Sequence, residues 1–344
     1  MMFVRFIINL LNLLIIGVLL TALSACDSSM NGGEGLGAET QTTSTASNFE
    51  VRIGRLICGG HLPLAIVEKR FQDQFTTFRL KTIQNHDWMD LIEDLKSADL
   101  AGTFILSPLA MKLIRDGLPA KIVLTANHNG NGFVLSEKIP NIKTLKDMKT
   151  IIAVPHLYSQ HNVLLHIALQ KHSIPLEKVS IVGMPPRDMI NSLRRGEIDG
   201  FVVGEPEANK SVELGIGWMA SISPEIWKDH MDHVFLASNQ FIEQHPEQLQ
   251  ELVTALVQGG KFIEANPHVA ALMGEDYTGS SAAVFEKVLT TPSDWIDYND
   301  MVPTINEIHA MGQQLVEMGY WKSLPDNLQS FIDTRFVNLA SMTK

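Results

Sequence analysis

Cysteine is scarce in this sequence, which has 344 residues and only two cysteines, Cys26 and Cys58. If Cys26 is used for processing near the N-terminus, Cys58 stands alone and no intrachain disulfide can form. The folded part must then rely on core packing, for which a hydrophobic share of 45% is sufficient. We expect Cys58 to be a buried side chain with no catalytic role.

Positive charge is also in short supply. The sequence has 27 Lys and Arg against 38 Asp and Glu, and its formal net charge is −11. A surface of this sign repels nucleic acids and other anionic polymers, so no nucleic-acid partner is expected. A small anion can still bind, because its site depends on a few local groups and not on net charge.

Signatures of common enzyme sites are absent as well. The sequence contains no nucleophile elbow, no Walker A loop and no HExxH zinc motif. Its His and Asp residues are scattered, so their spacing indicates no metal site. The sequence therefore predicts a protein that is not an enzyme and has no resident cofactor.

The N-terminus has the pattern of an export signal. Arg5 precedes an apolar run from Phe6 to Leu20, and Leu23-Ser24-Ala25-Cys26 follows. This ending resembles a lipobox, which implies a signal peptide over residues 1–25 and lipidation of the Cys26 thiol. The alternative is an uncleaved transmembrane anchor, although the apolar run is short for a span. Residues 26–49, rich in Gly, Ser and Thr, predict a flexible tether.

Strand and helix patterns alternate through the next part of the chain, as in an α/β protein built from βαβ units. The stretch from Met184 to His233 illustrates this, with a helix that ends at Gly196 and a buried strand over Ile198–Val203. The turn Gly204-Glu205-Pro206 follows that strand, at the end where open α/β sheets bind ligands. We expect Glu205 to stabilise the dipole of the next helix. Beyond Phe241 the pattern predicts helices over Leu249–Ile263, Ser281–Leu289, Ile305–Met318 and Leu328–Phe336.

Several motifs in this order resemble a known family. They are Leu62-Pro63-Leu64-Ala65, Ser107-Pro108-Leu109, Asn129-Gly130-Asn131-Gly132, Met184-Pro185-Pro186, Gly204-Glu205-Pro206 and Ile226-Trp227-Lys228-Asp229-His230. Together they resemble the type II periplasmic solute-binding proteins of ABC importers, within them the nitrate/bicarbonate-binding lipoproteins. The resemblance spans most of residues 50–265.

The resemblance implies a two-lobe α/β fold in which each lobe has a mostly parallel sheet flanked by helices. Two crossovers act as hinges between the lobes, and the ligand binds between them. Lobe 1 would comprise residues 50–136 and 234–344, and lobe 2 residues 137–233. Closure around the ligand is then a hinge motion.

Three places on this frame are candidates for binding the ligand. His161 begins a helix, where an imidazole and free N–H groups suit an anion, or where it simply caps the turn. The resemblance assigns Trp88 to the pocket wall, although an aromatic near a helix start also suits a core. It assigns Asn129, Gly130 and Asn131 to a loop that offers amide groups to the anion, whereas their composition alone suits a hairpin turn.

Two further histidines complete the predicted site. His233 falls where the nitrate-binding branch carries Lys and the bicarbonate-binding branch a carboxylate with calcium, or else the correspondence shifts to His230 or Lys228. His61 precedes a helix on the lobe 1 side and either faces the ligand or caps the turn. If His161 and His233 are a pair of positive charges, anion affinity should fall as pH rises past their pKa values.

The sequence thus predicts an extracytoplasmic, lipid-anchored binding protein for a small oxyanion, nitrate or nitrite first, with an ABC permease and ATPase as partners. Bicarbonate, with calcium as a companion ion, cyanate and sulfonates are alternative ligands. A membrane-tethered anion sensor is an alternative role. A protein related to pyrimidine-precursor binders or to the synthase that shares their fold is a further one, although that synthase relies on a cysteine-rich motif absent here.

Overall fold

The computed structural model describes residues 49–342. The predicted signal peptide, Cys26 and nearly all of the predicted tether lie outside the described residues. Within residues 49–342, no helix combines the length and the hydropathy needed to cross a membrane.

Twelve strands, numbered in chain order, are assigned in the described part of the chain. They are β1 Glu50–Arg55, β2 Arg79–Gln84, β3 Gly102–Leu106, β4 Ala120–Thr125, β5 His128–Asn129, β6 Asn131–Ser136, β7 Thr150–Val154, β8 Val179–Gly183, β9 Gly200–Gly204, β10 Gly217–Ile222, β11 His233–Ser238 and β12 Ile296–Asp297.

Ten of these strands form two sheets of the same design. The first has the order β2-β1-β3-β11-β4 and the second the order β10-β6-β9-β7-β8. In the first sheet only β11 runs antiparallel to its neighbours, and in the second only β6 does. The expectation of two mostly parallel sheets is therefore confirmed. The two remaining strands, β5 and β12, pair with each other.

The chain passes between the sheets twice, and the two passages run side by side. We call residues 126–130 the first crossing segment and residues 227–232 the second. Backbone N–H groups of Ala126 and Asn129 donate to carbonyls of His233 and His230, at 2.8 and 3.0 Å. The paired passages agree with the predicted crossovers.

One predicted boundary needs correction. Residues 131–136 were expected in lobe 1, but β6 pairs with β9 and β10 of the second sheet. The Asn-Gly run before β6 suggests a hairpin that would return to the same sheet, whereas here it leads the chain across. The rest of the lobe division stays a prediction.

Thirteen α-helices, also in chain order, accompany the strands within residues 49–342. They are α1 Leu62–Ile66, α2 Trp88–Lys96, α3 Ser107–Arg115, α4 Gln160–Lys171, α5 Pro186–Arg195, α6 Glu207–Glu213, α7 Ser223–Ile226, α8 Asn239–Gln244, α9 Pro246–Ala265, α10 Pro267–Thr278, α11 Ala282–Thr290, α12 Ile305–Glu317 and α13 Arg335–Met342.

Helices cover both faces of each sheet, because both faces of a parallel strand are apolar. One face of the first sheet packs on α2, α3 and α12, and the other on α9 and α13. The second sheet packs on α4 through one face and on α5 through the other. The fold is the α/β layering predicted from the sequence.

The C-terminal region departs from the predicted helices at two points. The helix expected over Leu328–Phe336 is wrong: a short 3₁₀ turn ends at Phe331, and α13 begins at Arg335. The backbone between them is held at the sheet, where the Asp333 N–H donates to the Ile122 carbonyl at 2.9 Å. Helix α10 was not predicted, because Gly274 interrupts its apolar pattern. A Cβ at Gly274 would lie 2.6 Å from the Phe285 ring, so the glycine serves close helix packing.

The core of the first sheet gives a stability prediction. Phe235 in β11 is fully buried and its ring centroid lies 5.2 Å from that of Phe104. We expect Phe235→Ala to lower the free energy of unfolding by about 3–5 kcal/mol in urea titration, because it leaves a cavity in a packed core. Leu176→Ala is the control, since Leu176 is 48% exposed and should change little. A loss for Phe235→Ala no larger than that of the control would contradict this packing.

Candidate functional site

Loops at the carboxyl ends of parallel strands from both sheets enclose a cleft of about 900 Å³. From the first sheet, the loop after β1 contributes Leu56, Ile57 and Cys58, and the loop after β2 contributes residues 84–89. From the second sheet, residues 155–158 and 183–187 follow β7 and β8. The cleft therefore lies at the place where the resemblance put the ligand.

Three aromatic side chains, His61, Trp88 and His233, lie together beside Cys58 of this cleft; we call them the ring cluster. The ring centroids of His61 and His233 are 5.4 Å apart, and those of Trp88 and His233 are 5.9 Å apart. All three side chains are buried. Sequence-predicted residues from three separate segments are thus brought into contact.

Trp88 opens α2 directly after the N-cap Asp87, whose carboxylate accepts from the backbone N–H groups of Met89 and Asp90. This cap fixes the helix start at the edge of the cleft. The Trp88 ring is only 5% exposed, yet its Nε1–H group has no hydrogen-bond partner. An unpaired buried donor is costly, so this one is available to a bound solute.

His61 does not cap its helix. Its Nδ1 accepts a hydrogen bond from the Leu56 N–H at 3.1 Å, so the ring proton is on Nε2. Nε2 is buried without a partner, and the side chain is fully enclosed. Burial, followed by the nearby charge of His233, holds the His61 pKa well below its usual range, so the imidazole is a neutral donor.

His233 forms a buried ion pair with Asp232, with Nδ1 2.7 Å from Oδ2. Three amides also donate to this carboxylate: Asn127 and Asn131, each at 2.9 Å, and Gln160. Burial alone would lower the pKa of His233, but the Asp232 carboxylate and the Cys58 side chain together outweigh it and raise the value to about 10. His233 is therefore charged at neutral pH, and its charge is balanced within the pair.

His161 is the second residue of α4 and is 2% exposed. Both of its ring nitrogens lack partners. Nε2 lies 3.5 Å from where a Cβ of Gly204 would be, and the unpaired Asn131 Oδ1 lies 3.7 Å from the same point. The imidazole thus faces the β9 turn beside Asn131.

Burial lowers the pKa of His161 to about 3, more than the nearby Asp232 carboxylate raises it. The imidazole is neutral at physiological pH, with one donor and one acceptor nitrogen. The hypothesis of two positive imidazoles at His161 and His233 is therefore wrong. Of these two histidines only His233 is charged, because only His233 is hydrogen-bonded to a carboxylate.

The Asn129-Gly130-Asn131 loop divides into structural and available groups. The Asn129 side chain donates to the Asp294 carbonyl and accepts from the Asp229 N–H. The Gly130 N–H donates to the Trp295 carbonyl at 2.6 Å. These two residues hold the first crossing segment, and Asn131 alone keeps a free side-chain oxygen.

The alternative positions for His233 are not supported. Both ring nitrogens of His230 have partners, the Trp227 carbonyl and the Asn131 amide. Lys228 is exposed and does not line the cleft. His233 is thus the residue of this segment that enters the ring cluster.

Sequence reasoning missed three contributors. Cys58, expected to be a buried spectator, is half-buried in the cleft wall with Sγ 3.7 Å from His233 Nε2. Asp232 was overlooked because a lone carboxylate next to a His carries no sequence signal. Gln160 is the first residue of α4, and its side-chain oxygen Oε1 is buried without a hydrogen-bond partner.

Glu205 is structural, as expected, but it acts through hydrogen bonds and not through a negative charge at the helix dipole. Its Oε2 accepts from the Asn209 N–H in the first turn of α6, at 2.9 Å. Its backbone carbonyl accepts from the Gly59 N–H at 3.0 Å, which joins the β9 turn to the segment after β1. Burial raises the pKa of its carboxyl to about 8, so the side chain is protonated at neutral pH.

The side chains near the ring cluster decide which kind of metal ion could bind there. Calcium takes about six to eight oxygen ligands. Beside the ring cluster, both oxygens of Asp232 already have side-chain partners. The cluster offers imidazole nitrogens and a thiol instead, which suit softer metals.

Comparison with known proteins places this geometry in a class. The fold is that of the periplasmic binding proteins: the periplasmic nitrate-binding protein NrtA from Synechocystis PCC 6803 superposes with a TM-score of 0.79, at 18% identity, over 86% of this chain and 89% of that one. Residues 44–275 match the NMT1-like family. The chain therefore belongs to the NMT1-like family.

Two similar proteins are named for the import of different anions, nitrate and bicarbonate. The nitrate import ATP-binding protein NrtC of Synechocystis is 26% identical over 255 residues, which is 67% of this chain and 38% of NrtC. The bicarbonate transport ATP-binding protein CmpC of Synechococcus elongatus is 27% identical over 251 residues, again 67% and 38%. The chain thus spans little more than a third of the length of each.

The raised pKa of Glu205 gives a pH prediction. From the ordinary value of 4.5 up to about 8, the folded state binds more protons at this carboxyl than the unfolded state does. Its contribution to the free energy of unfolding therefore falls as pH rises, by about 1.4 kcal/mol per unit, and levels off above that range. We expect Glu205→Gln to remove this dependence. The free energy of unfolding of the variant, compared with that of the wild type, should therefore be higher at pH 9 than at pH 5.

Urea titrations at the two pH values check this, with the exposed Glu243 as control. Glu243→Gln should follow the wild type at both pH values. If Glu205→Gln does the same, the Glu205 carboxyl is not protonated in the folded protein.

Proposed function

We propose that this protein is the extracytoplasmic solute-binding component of an ABC importer and binds a small oxyanion, nitrate or nitrite first, in the cleft between the two sheets. The observation that carries the proposal is that buried ring N–H groups from elements of both sheets have no hydrogen-bond partner. Trp88 Nε1 and His61 Nε2 come from the first sheet, and the His161 ring comes from the second. A solute held by both sets stabilises the closed form, which is the form an importer would recognise.

Nitrate and nitrite suit these groups because they only accept hydrogen bonds. Each hydrogen bond to a charged solute contributes about 1.5–3 kcal/mol. The neutral donors Trp88 and His61 supply such bonds without a positive charge of their own. A few of them together are sufficient for micromolar binding.

Bicarbonate is the second candidate, and two unpaired oxygens favour it. Asn131 Oδ1 and Gln160 Oε1 are both buried without partners. Bicarbonate can donate its hydroxyl to such an acceptor, whereas nitrate cannot. Calcium as a companion ion stays part of this alternative, although the oxygen ligands near the ring cluster are few.

A sulfonate is favoured by a different observation. At about 900 Å³, the cleft is larger than an inorganic anion requires and is lined in part by Arg187, Arg194 and Lys210. An organic anion could place its charge at these side chains and its apolar part along Met184 and Leu157. No feature of the cleft favours cyanate, the smallest alternative, in this way.

We infer that the protein lies outside the cytoplasmic membrane, anchored through a lipid on Cys26, with a permease and an ATPase as partners. The sequence of residues 1–26 supports the anchor, and the NrtC and CmpC matches support an import system. A membrane-tethered anion sensor would use the same site without a permease. Loss of solute uptake on deletion, or loss of a regulatory response only, separates the two roles.

A binding role agrees with the relatives better than catalysis does. Pyrimidine-precursor chemistry of the related synthase needs a cysteine-rich motif, and only Cys58 is present in the described residues. A pyrimidine precursor as a bound solute stays an alternative for the larger cleft.

Trp88→Phe tests the site, because it removes one N–H donor and keeps a ring of similar shape. We expect calorimetric titration to show about a ten-fold to hundred-fold loss of affinity for the oxyanion that binds the wild type. The panel comprises nitrate, nitrite, cyanate, bicarbonate with and without calcium, and an alkanesulfonate. Trp218→Phe is the matched control, since Trp218 Nε1 donates to the Ile139 carbonyl away from the cleft. Equal affinity in wild type and Trp88→Phe would refute the donor role.

The protonation states predict a flat pH profile. His161, with a pKa of about 3, stays neutral and His233, with a pKa of about 10, stays charged across the neutral range. We expect nitrate affinity to change by less than about two-fold between pH 5 and pH 7 at constant ionic strength. A ten-fold fall over this range would show that a ligand-binding imidazole loses its charge there.

A further inference from the structure

The segment Cys58-Gly59-Gly60-His61 brings a thiol and an imidazole against the His233 ring. One ligand atom from each of Cys58, His61 and His233 can be chosen so that all three lie within 4.8 Å of one another. Among residues 49–342, no other group of three His, Cys or carboxylate side chains is this close in a metal-ligating arrangement. We propose that this trio is a binding site for a soft transition-metal ion, with zinc(II) as its probe.

The distances suit a tetrahedral ion. Cys58 Sγ lies 3.7 Å from His233 Nε2. With a Zn–S bond of about 2.3 Å and a Zn–N bond of about 2.0 Å, the sulfur and nitrogen of a zinc site are roughly 3.5 Å apart. Thiolate and imidazole ligands select zinc or copper over calcium or magnesium.

Glycine makes this approach possible. A Cβ on Gly60 would lie 2.3 Å from His233 Nδ1 and 2.5 Å from its Cγ. Any other residue at this position would push the segment away from the ring. The two ligands of this segment are therefore held against the third by backbone that only glycine permits.

The group behind His233 is arranged as in known metal sites. The second ring nitrogen of His233 is bonded to the Asp232 carboxylate, the usual partner of a metal-ligating imidazole. His61 Nε2 is fully buried and has no other partner. When Nε2 binds the metal, the ring proton moves to Nδ1 and the hydrogen bond from the Leu56 N–H is given up.

The position of Cys58 gives a metal ion access to the trio, and its thiolate enters the charge balance of the site. Because Cys58 lines the cleft, an ion can reach the trio from there. One thiolate and two neutral imidazoles leave a divalent ion with a single positive charge. The Asp232 carboxylate beside His233 balances this charge, so an anion would be held as a ligand at the fourth coordination position and not by net charge. That consequence rests on the proposed function, whereas metal binding itself does not.

Titration of the full-length protein with zinc(II) and cobalt(II), in the absence of any candidate anion, tests the inference. We expect one ion per chain and, for cobalt, a sulfur-to-metal charge-transfer band with intense visible bands typical of tetrahedral geometry. Cys58→Ser should lose the charge-transfer band, and His61→Gln should weaken binding at least ten-fold. Asp232→Asn should weaken it roughly 10–100-fold.

Two controls make the result specific. His86→Gln changes an exposed histidine of the same cleft and should bind zinc as the wild type does. Cys26→Ser removes the other thiol of the chain and should keep the charge-transfer band. Thermal unfolding of each variant without metal shows that it folds.

A charge-transfer band that survives Cys58→Ser, or the absence of zinc binding by the folded wild type, would overturn the inference. Anion titrations repeated with a chelator keep the outcomes separate. Anion binding with no metal site contradicts this inference alone, and a metal site with no anion binding contradicts the proposed function alone.

Discussion

The buried carboxylate of Asp232 is the interaction on which the site depends. It accepts hydrogen bonds from Asn127 and Asn131 around the first crossing, from Gln160 at the start of α4, and from the adjacent His233 of β11. A carboxylate in a low-dielectric interior is stable only with such partners, because its loss of hydration is costly. One side chain therefore joins both sheets and both passages between them.

This arrangement sets the electrostatics of the cleft. The Asp232 carboxylate neutralises the charge of His233 within the ion pair, and burial keeps His61 and His161 neutral. The result is a site with directed hydrogen-bond donors and a balanced charge. Around the histidines, selectivity among anions must then arise from geometry and from the unpaired oxygens of Asn131 and Gln160, because these rings add no excess positive charge.

The same compact arrangement explains why glycine is placed where the two sheets approach. Gly59 donates its N–H to the carbonyl of Glu205, and Gly60 lies over the His233 ring. Side chains at these positions would separate the segment after β1 from the β9 turn and from β11. The contact between Gly59 and Glu205 beside the cleft is thus a backbone contact, which can form and break without rearranging a core.

The sequence by itself determined the α/β class, most strands and helices, and the positions of Trp88, His161 and His233 near strand ends, because apolar periodicity and turn residues act locally. It could not show that β6 leaves the first sheet, since strand pairing joins residues far apart in the chain. Only the tertiary structure decided that His161 is neutral while His233 is charged. Those states depend on burial and on the Asp232 carboxylate. For the same reason the sequence showed Cys58 and His61 as isolated residues. Their contact with His233, some 170 residues away, is created by the fold.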